Sequence, residues 1–329
     1  MRTRYIIYFI ALATISSCVG LQDDRQDAID GERIAVCAGI GDPSVVSRAL
    51  TYYGYTTPSD DHPLEAIVWF TDDENGTTQF ANTGSATTLP RYSDVTFVSG
   101  GMTFPDSDVL PYTAGKATYA VGFWPKTSWT PISSNTQATH AITGQEDLMF
   151  APKITAAADA HFSPLAPLNF GHLLTWIKIR VAASGSEAIA AWGKITSITI
   201  ASKTSLTVSL NGDLDDVTYN TDGDIVAFSN PSGTALTTSA NELASVFCAP
   251  TASAQYIITI KSENETGGKA VTVNLVDLDK DPIASSIAAT QGKEFIITLT
   301  FQPFNMIDAV GKGLADWTNE NVPISGPVS

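Results

Sequence analysis

The sequence predicts an all-β protein of two antiparallel β-sandwich domains with few short helices, and three observations predict it. Apolar and polar residues alternate with a period of two wherever a pattern exists. The alternating segments are rich in the β-branched and aromatic residues that suit a half-buried pleated surface, and turn dipeptides separate them. A chain of 329 residues with 43% hydrophobic and 16% charged residues is long and apolar enough to bury two cores.

The first element is an address, not a fold. Arg2 and Arg4 form a basic start, "YIIYFIALATI" from Tyr5 to Ile15 is an apolar run of signal-peptide length, and Ser16 and Ser17 are small residues before Cys18. The run is too short to span a bilayer as a stable helix. This arrangement resembles the bacterial lipoprotein box, which implies cleavage after residue 17 and acylation of Cys18 on its thiol and its new amino terminus. Three acyl chains exceed what durable anchoring needs. Removing residues 1–17 takes away two arginines and no acid, so the net charge moves from -16 to -18. A surface this acidic repels nucleic acid, which is excluded as a partner. "LQDDRQDAIDGER" follows without periodicity, so residues 18–32 read as a flexible tether.

Strands come next. "RIAVCAGI" places Ile34, Val36, Ala38 and Ile40 on one face. "EAIVWF", "DVTFV", "ATYAVGFW", "LLTWIKIRVA", "ITSITIAS", "SLTVSL", "QYIITI", "AVTVNLV" and "EFIITLTF" repeat the pattern. Asn211-Gly212, Asp222-Gly223 and Gly267-Gly268 supply turn chemistry between them. Two segments, "SEAIAAWGK" and "NELASVF", read as short helices. Alternation over roughly ten residues also describes an outer-membrane barrel, but polar loops and a lipid anchor favour a sandwich. "KITAAADAHFSPLAP", from Lys153 to Pro167, is rich in small residues and proline. We place the division there, giving domains over residues 33–165 and 166–329.

Chemistry is sparse. His62, His140, His161 and His172 have no metal-binding spacing, and His172 is expected to line a core. "DLDKD" sets Asp277, Asp279 and Asp281 at calcium-loop positions, but Pro282 stands where glycine is required and Ala288 where the bidentate glutamate belongs. No nucleophile elbow, phosphate loop or dinucleotide fingerprint is present. We therefore expect no catalytic residue, no metal and no cofactor, and a protein that is not an enzyme. A sandwich glycoside hydrolase with dispersed carboxylates is the remote alternative. Glycan binding through an exposed indole is the nearer one, with Trp129 expected to be the most exposed and Trp69 and Trp176 expected in the core. Cys37 and Cys248 are either a disulfide or two separate buried thiols.

Five stretches, in order over about 280 residues, resemble the fimbrillin family, the subunits of type V pili in the Bacteroidota. They are "SRA" (47–49) after the first strand, "YAVGFWP" (119–125), "EDLMFAP" (146–152), "LNFGHLLTWIKIRV" (168–181), and "GKEFIITLTF" with "LADW" through Trp317. The resemblance implies transthyretin-like sandwiches exported as a lipid-anchored precursor to the cell surface. It also implies polymerisation by strand exchange. A protease cuts between Arg48 and Ala49, the strand over residues 33–41 leaves, and an extended segment of another subunit fills the groove it occupied between strands. Partners would be other fimbrial subunits, the outer membrane through the anchor, and a host or bacterial surface ligand. Pro323 and Pro327 cannot donate ladder hydrogen bonds, so "NVPISGPVS" is a poor donor strand and a tip or accessory subunit stands beside the stalk reading.

Overall fold

The computed structural model describes residues 38–40, 64–72, 91–98, 101–103, 117–132, 136–157, 168–277, 281–303 and 306–314. A first sheet contains β1 (Ala38–Ile40), β2 (Leu64–Thr71), β3 (Arg91–Val98), β4 (Gly101–Thr103), β5 (Thr118–Trp124), β8 (Met149–Ala157) and β9 (Leu168–His172), in the order β1-β9-β8-β5-β2-β3-β4. The second contains β6 (Thr130–Ile132), β7 (Gln137–Ala141), β10 (Thr175–Ala183), β11 (Lys194–Ser209), β12 (Val217–Ala235), β13 (Asn241–Cys248), β14 (Gln255–Ser262), β15 (Lys269–Val276), β16 (Glu294–Gln302) and β17 (Met306–Leu314). Its order is β13-β10-β16-β17-β15-β14-β11-β7-β6, with β12 on the other edge of β11. Both sheets are open, so neither is a barrel.

The period of two explains the layers. In β10, Thr175, Ile177, Ile179 and Val181 are buried while Trp176, Lys178 and Arg180 face outward. Phe295, Ile297, Leu299 and Phe301 of β16 and Tyr256, Ile258 and Ile260 of β14 repeat this and meet in the same core. An aromatic run joins the two sheets. Trp69 on β2 lies 4.7 Å from Phe123 on β5, Phe123 lies 4.7 Å from Trp129, and Trp129 lies 4.9 Å from His140 on β7 of the second sheet. Helix α1 (Ser186–Trp192) crosses between β10 and β11 and buries Ala188 and Trp192. The Trp192 indole donates to the Gln302 carbonyl at 2.9 Å and meets Phe301 edge-on.

Several expectations need correction. "NELASVF" is strand β13, because pairing with β10, Trp176 opposite Phe247 and Ile177 opposite Val246, outweighs its helix propensity. Asp222-Gly223 is not a turn but lies inside β12, opposite Lys203 and Ser202. Glycine is needed there, since a Cβ would stand 2.7 Å from the Thr204 methyl. Strand β8 runs through Ala157, into the segment read as a boundary. The division near residue 165 lies outside the described residues. On either side of it the chain changes sheet: β6 and β7 pair onto β11 in the second, and β9 pairs onto β8 in the first.

Candidate functional site

The residues around β1 form the feature with the most consequence for assembly. Ala38, Gly39 and Ile40 pair in parallel with Leu168, Asn169 and Phe170 of β9. Among the described residues β1 has one neighbour, β9. The register sets Ala38 and Ile40 opposite Leu168 and Phe170, both fully buried. Phe170 is held by a close approach to β5: a Cβ on Gly122 would stand 2.6 Å from its ring. On its other flank β9 pairs with β8 only at His172 and Gly171 among the described residues. Among the described residues the ladder of Leu168–Phe170 is the one made with β1.

Immediately after this edge the chain is clamped. His172 Nδ1 and Asp147 Oδ2 lie 2.5 Å apart, both residues buried. The Leu173 amide donates to the Leu148 carbonyl at 2.8 Å. Burial pushes the Asp147 carboxyl above its ordinary value, with His172 pulling the other way by charge and hydrogen bond. From the second sheet, the Tyr219 hydroxyl donates to the Leu173 carbonyl at 2.5 Å, and burial raises that phenol's pKa. Thr175 Oγ1 donates to the Thr290 carbonyl, and the Gly292 amide to that of Leu174. Residues 172–175 are thus fixed where they leave the first sheet, while Leu168–Phe170 pair with β1.

The other expected residues fall as follows. Cys18, Ile34, Val36, Arg48 and Ala49 lie outside the described residues, as do Cys37, His62, His161, Asp279 and Trp317. His172 lines the core as expected, but its pairing with Asp147 was missed; the aspartate of "EDL" and the histidine of "FGH" were the available signal. Trp129 is buried, not exposed: its indole donates to the Pro125 carbonyl at 3.0 Å and its ring packs on Phe123 and His140. Trp69 is in the core. Trp176 is half-buried rather than core, stacked with Phe247 at 5.9 Å with the Lys178 ammonium 4.1 Å from its ring centre. Cys248 is a free buried thiol, its pKa raised by burial. Among the described residues no group of three or more His, Cys, Asp or Glu side chains could hold a metal.

The described residues form an open all-β fold of two sheets. Solved structures resemble it. A candidate cell adhesion protein from Bacteroides uniformis matches with a TM-score of 0.51 at 17% identity, over 87% of this chain and 99% of that one. A candidate cell adhesion protein from Bacteroides ovatus matches with a TM-score of 0.50 at 13% identity, over 88% and 99%. A fimbrial assembly protein from Parabacteroides distasonis matches more loosely, at 0.36 and 10%, over 76% and 88%. The two closer likenesses establish a shared fold, consistent with the fimbrillin-like resemblance of the sequence. No protein-family model and no curated protein matches this chain.

Proposed function

We propose that this protein is a non-enzymatic structural subunit of a type V fimbria, whether stalk, tip or accessory, exported as a lipoprotein acylated at Cys18 and assembled on the outer face of the outer membrane. Cleavage between Arg48 and Ala49 releases the first strand, and a strand from another fimbrial subunit takes its place, so that the filament carries adhesion to a host or bacterial surface. The observation that carries this reading is the pairing of Ala38–Ile40, part of the expected first strand, with Leu168–Phe170, whose Leu168 and Phe170 side chains are fully buried. Departure of that strand would leave backbone groups and apolar surface that favour a replacement. The fold shared with candidate cell adhesion proteins supports a role at the surface.

The test is limited digestion of the folded protein with an arginine-specific protease. The first cut should fall after Arg48, the nicked form should build heat-labile oligomers that the intact chain does not, and Arg48→Ala should abolish both. A nicked protein that stays monomeric at high concentration with residues 33–48 still bound overturns strand exchange. For the anchor, Cys18→Ala should move the protein out of the membrane fraction; unchanged membrane association without fatty-acid incorporation in the wild type contradicts it.

A further inference from the structure

The loop between β11 and β12, residues 210–216, is tied internally into one shape. The Gly212 amide donates to the Ser209 carbonyl at 3.1 Å, the Asp216 amide to the Asp213 carbonyl at 3.0 Å, and the Asp213 amide to Asp216 Oδ2 at 3.1 Å. Groups outside the hairpin fix its position. The Leu210 amide donates to the Thr136 carbonyl, just before β7, at 3.0 Å. Lys153 Nζ, on β8 of the first sheet, donates to Asn211 Oδ1 at 3.1 Å. Gln291 Nε2, just before β16, donates to the Leu214 carbonyl at 3.2 Å. A loop of the second sheet is thereby held against the first.

From this loop the half-buried Leu214 side chain reaches β9. It fills the space that Gly171 leaves by having no side chain: a Cβ there would stand 2.8 Å from Leu214 Cδ2 and closer still to Cδ1. The Gly171 backbone lies outside the left-handed region, so its conformation is open to any residue and the leucine is what demands glycine. Gly171 directly follows Phe170, the last residue of the ladder with β1, and is one of the two β9 residues that pair with β8 among the described residues. Peeling β9 from this point draws Gly171 away from Leu214 and uncovers apolar surface on the leucine. The same end of β9 continues into Leu173, whose carbonyl accepts from Tyr219 on β12, so loop and strand hold each other from both sides of the hairpin.

We infer that the β11–β12 loop is a latch on β9: the strand, and with it the ladder it makes with β1, loosens only when Leu214 lifts. The latch thus governs how readily the first strand departs, a role that rests on the strand-exchange reading above. The experiment is native-state hydrogen exchange on the full chain, comparing wild type, Leu214→Ala, Gly171→Ala and the double variant. Deleting a contact raises an opening equilibrium when that opening breaks the contact and leaves it unchanged when the contact survives. In Leu214→Ala the amides of residues 168–170 should therefore exchange about fivefold faster, by the same factor as those of Ile297 and Leu299 in β16. Gly171→Ala, whose methyl meets the leucine, should accelerate them at least as much. In the Leu214→Ala background, where that space is vacated, Gly171→Ala should add less than about twofold. Exchange at residues 168–170 unchanged in Leu214→Ala means that the strand opens with the loop in place, and overturns the inference. Fully additive effects in the double variant overturn it as well, as does a ladder that opens only with global unfolding, since no separate opening is then left to latch. None of these measurements needs oligomers, so a positive result beside failed Arg48-dependent assembly removes strand exchange and leaves the latch.

Discussion

Strands β1 and β16 both have a parallel neighbour, yet the described residues pair them very differently. Among the described residues β1 is three residues long, lies at a sheet edge and touches one strand. Strand β16 is nine residues long, runs parallel to β10 on one flank and antiparallel to β17 on the other, and buries Phe295, Ile297, Leu299 and Phe301. Parallel pairing is thus common to both, and the described difference is in paired length and in the number of paired flanks. Ladder bonds and buried side chains accumulate along β16, so extracting it means unfolding its sheet.

Substitutions can break or sharpen this contrast. The largest effect is expected at Phe301→Ala, which empties a fully buried site against Trp192 and should cost about 3–5 kcal/mol in chemical denaturation. It should leave the docking of β1 unchanged until the whole chain unfolds. Next is His172→Ala, which leaves Asp147 buried without its partner and should cost about 3 kcal/mol.

Its pH dependence has a definite sign. Burial holds the Asp147 carboxyl above its ordinary value near 4, so the folded state keeps a proton that the unfolded chain has released. Stability from this group is complete below about pH 4 and is lost as pH rises through the raised value. Asp147→Asn, which keeps an amide oxygen for His172, should remove that slope, and His172→Ala should steepen it. Stability curves for wild type and Asp147→Asn that run parallel from pH 4 to 8 would contradict this reading of the clamp.

Gly122→Ala comes third. The new methyl must displace the Phe170 ring, at a cost of about 1–3 kcal/mol, and it should loosen β1 more than it lowers global stability. Least affected should be Lys126→Ala. It removes an exposed ion pair to Glu65 at 3.3 Å and should change stability by less than about 0.5 kcal/mol.

How much of this was legible in the sequence depended on whether the cause was local. Alternation in "QYIITI" and "EFIITLTF" is a local pattern and located β14 and β16, whereas "EAIVWF" located β2 although that strand does not alternate: it is buried on both faces from Ala66 to Thr71. Asn211-Gly212 and Gly267-Gly268 do lie in hairpin connections, between β11 and β12 and between β14 and β15. Strand β17 escaped notice because Gly311 and Gly313 stand where its apolar face should continue, and both are buried. The tertiary partner decided "NELASVF", whose local propensity points to helix but whose neighbour is β10. Trp129 was misjudged because the groups that cover it, Phe123 and His140, come from strands of different sheets. The clamp of His172 on Asp147 joins residues 25 apart on β9 and just before β8, a contact with no periodic signature.

The claim that the first strand can leave while the rest stays folded is tested most directly by native-state hydrogen exchange on the intact chain, with amides followed in residues 38–40 and 168–170 and in β16. The account predicts that the β1–β9 ladder opens by a local route, its opening free energy at least about 3 kcal/mol below that of the Ile297 and Leu299 amides. Denaturant at low concentration should leave the ladder's exchange rate nearly unchanged while accelerating that of β16, since local opening of one strand exposes far less surface than global unfolding. Equal opening free energies in the two strands, with equal sensitivity to denaturant, would mean that β1 leaves only with global unfolding and would contradict the account.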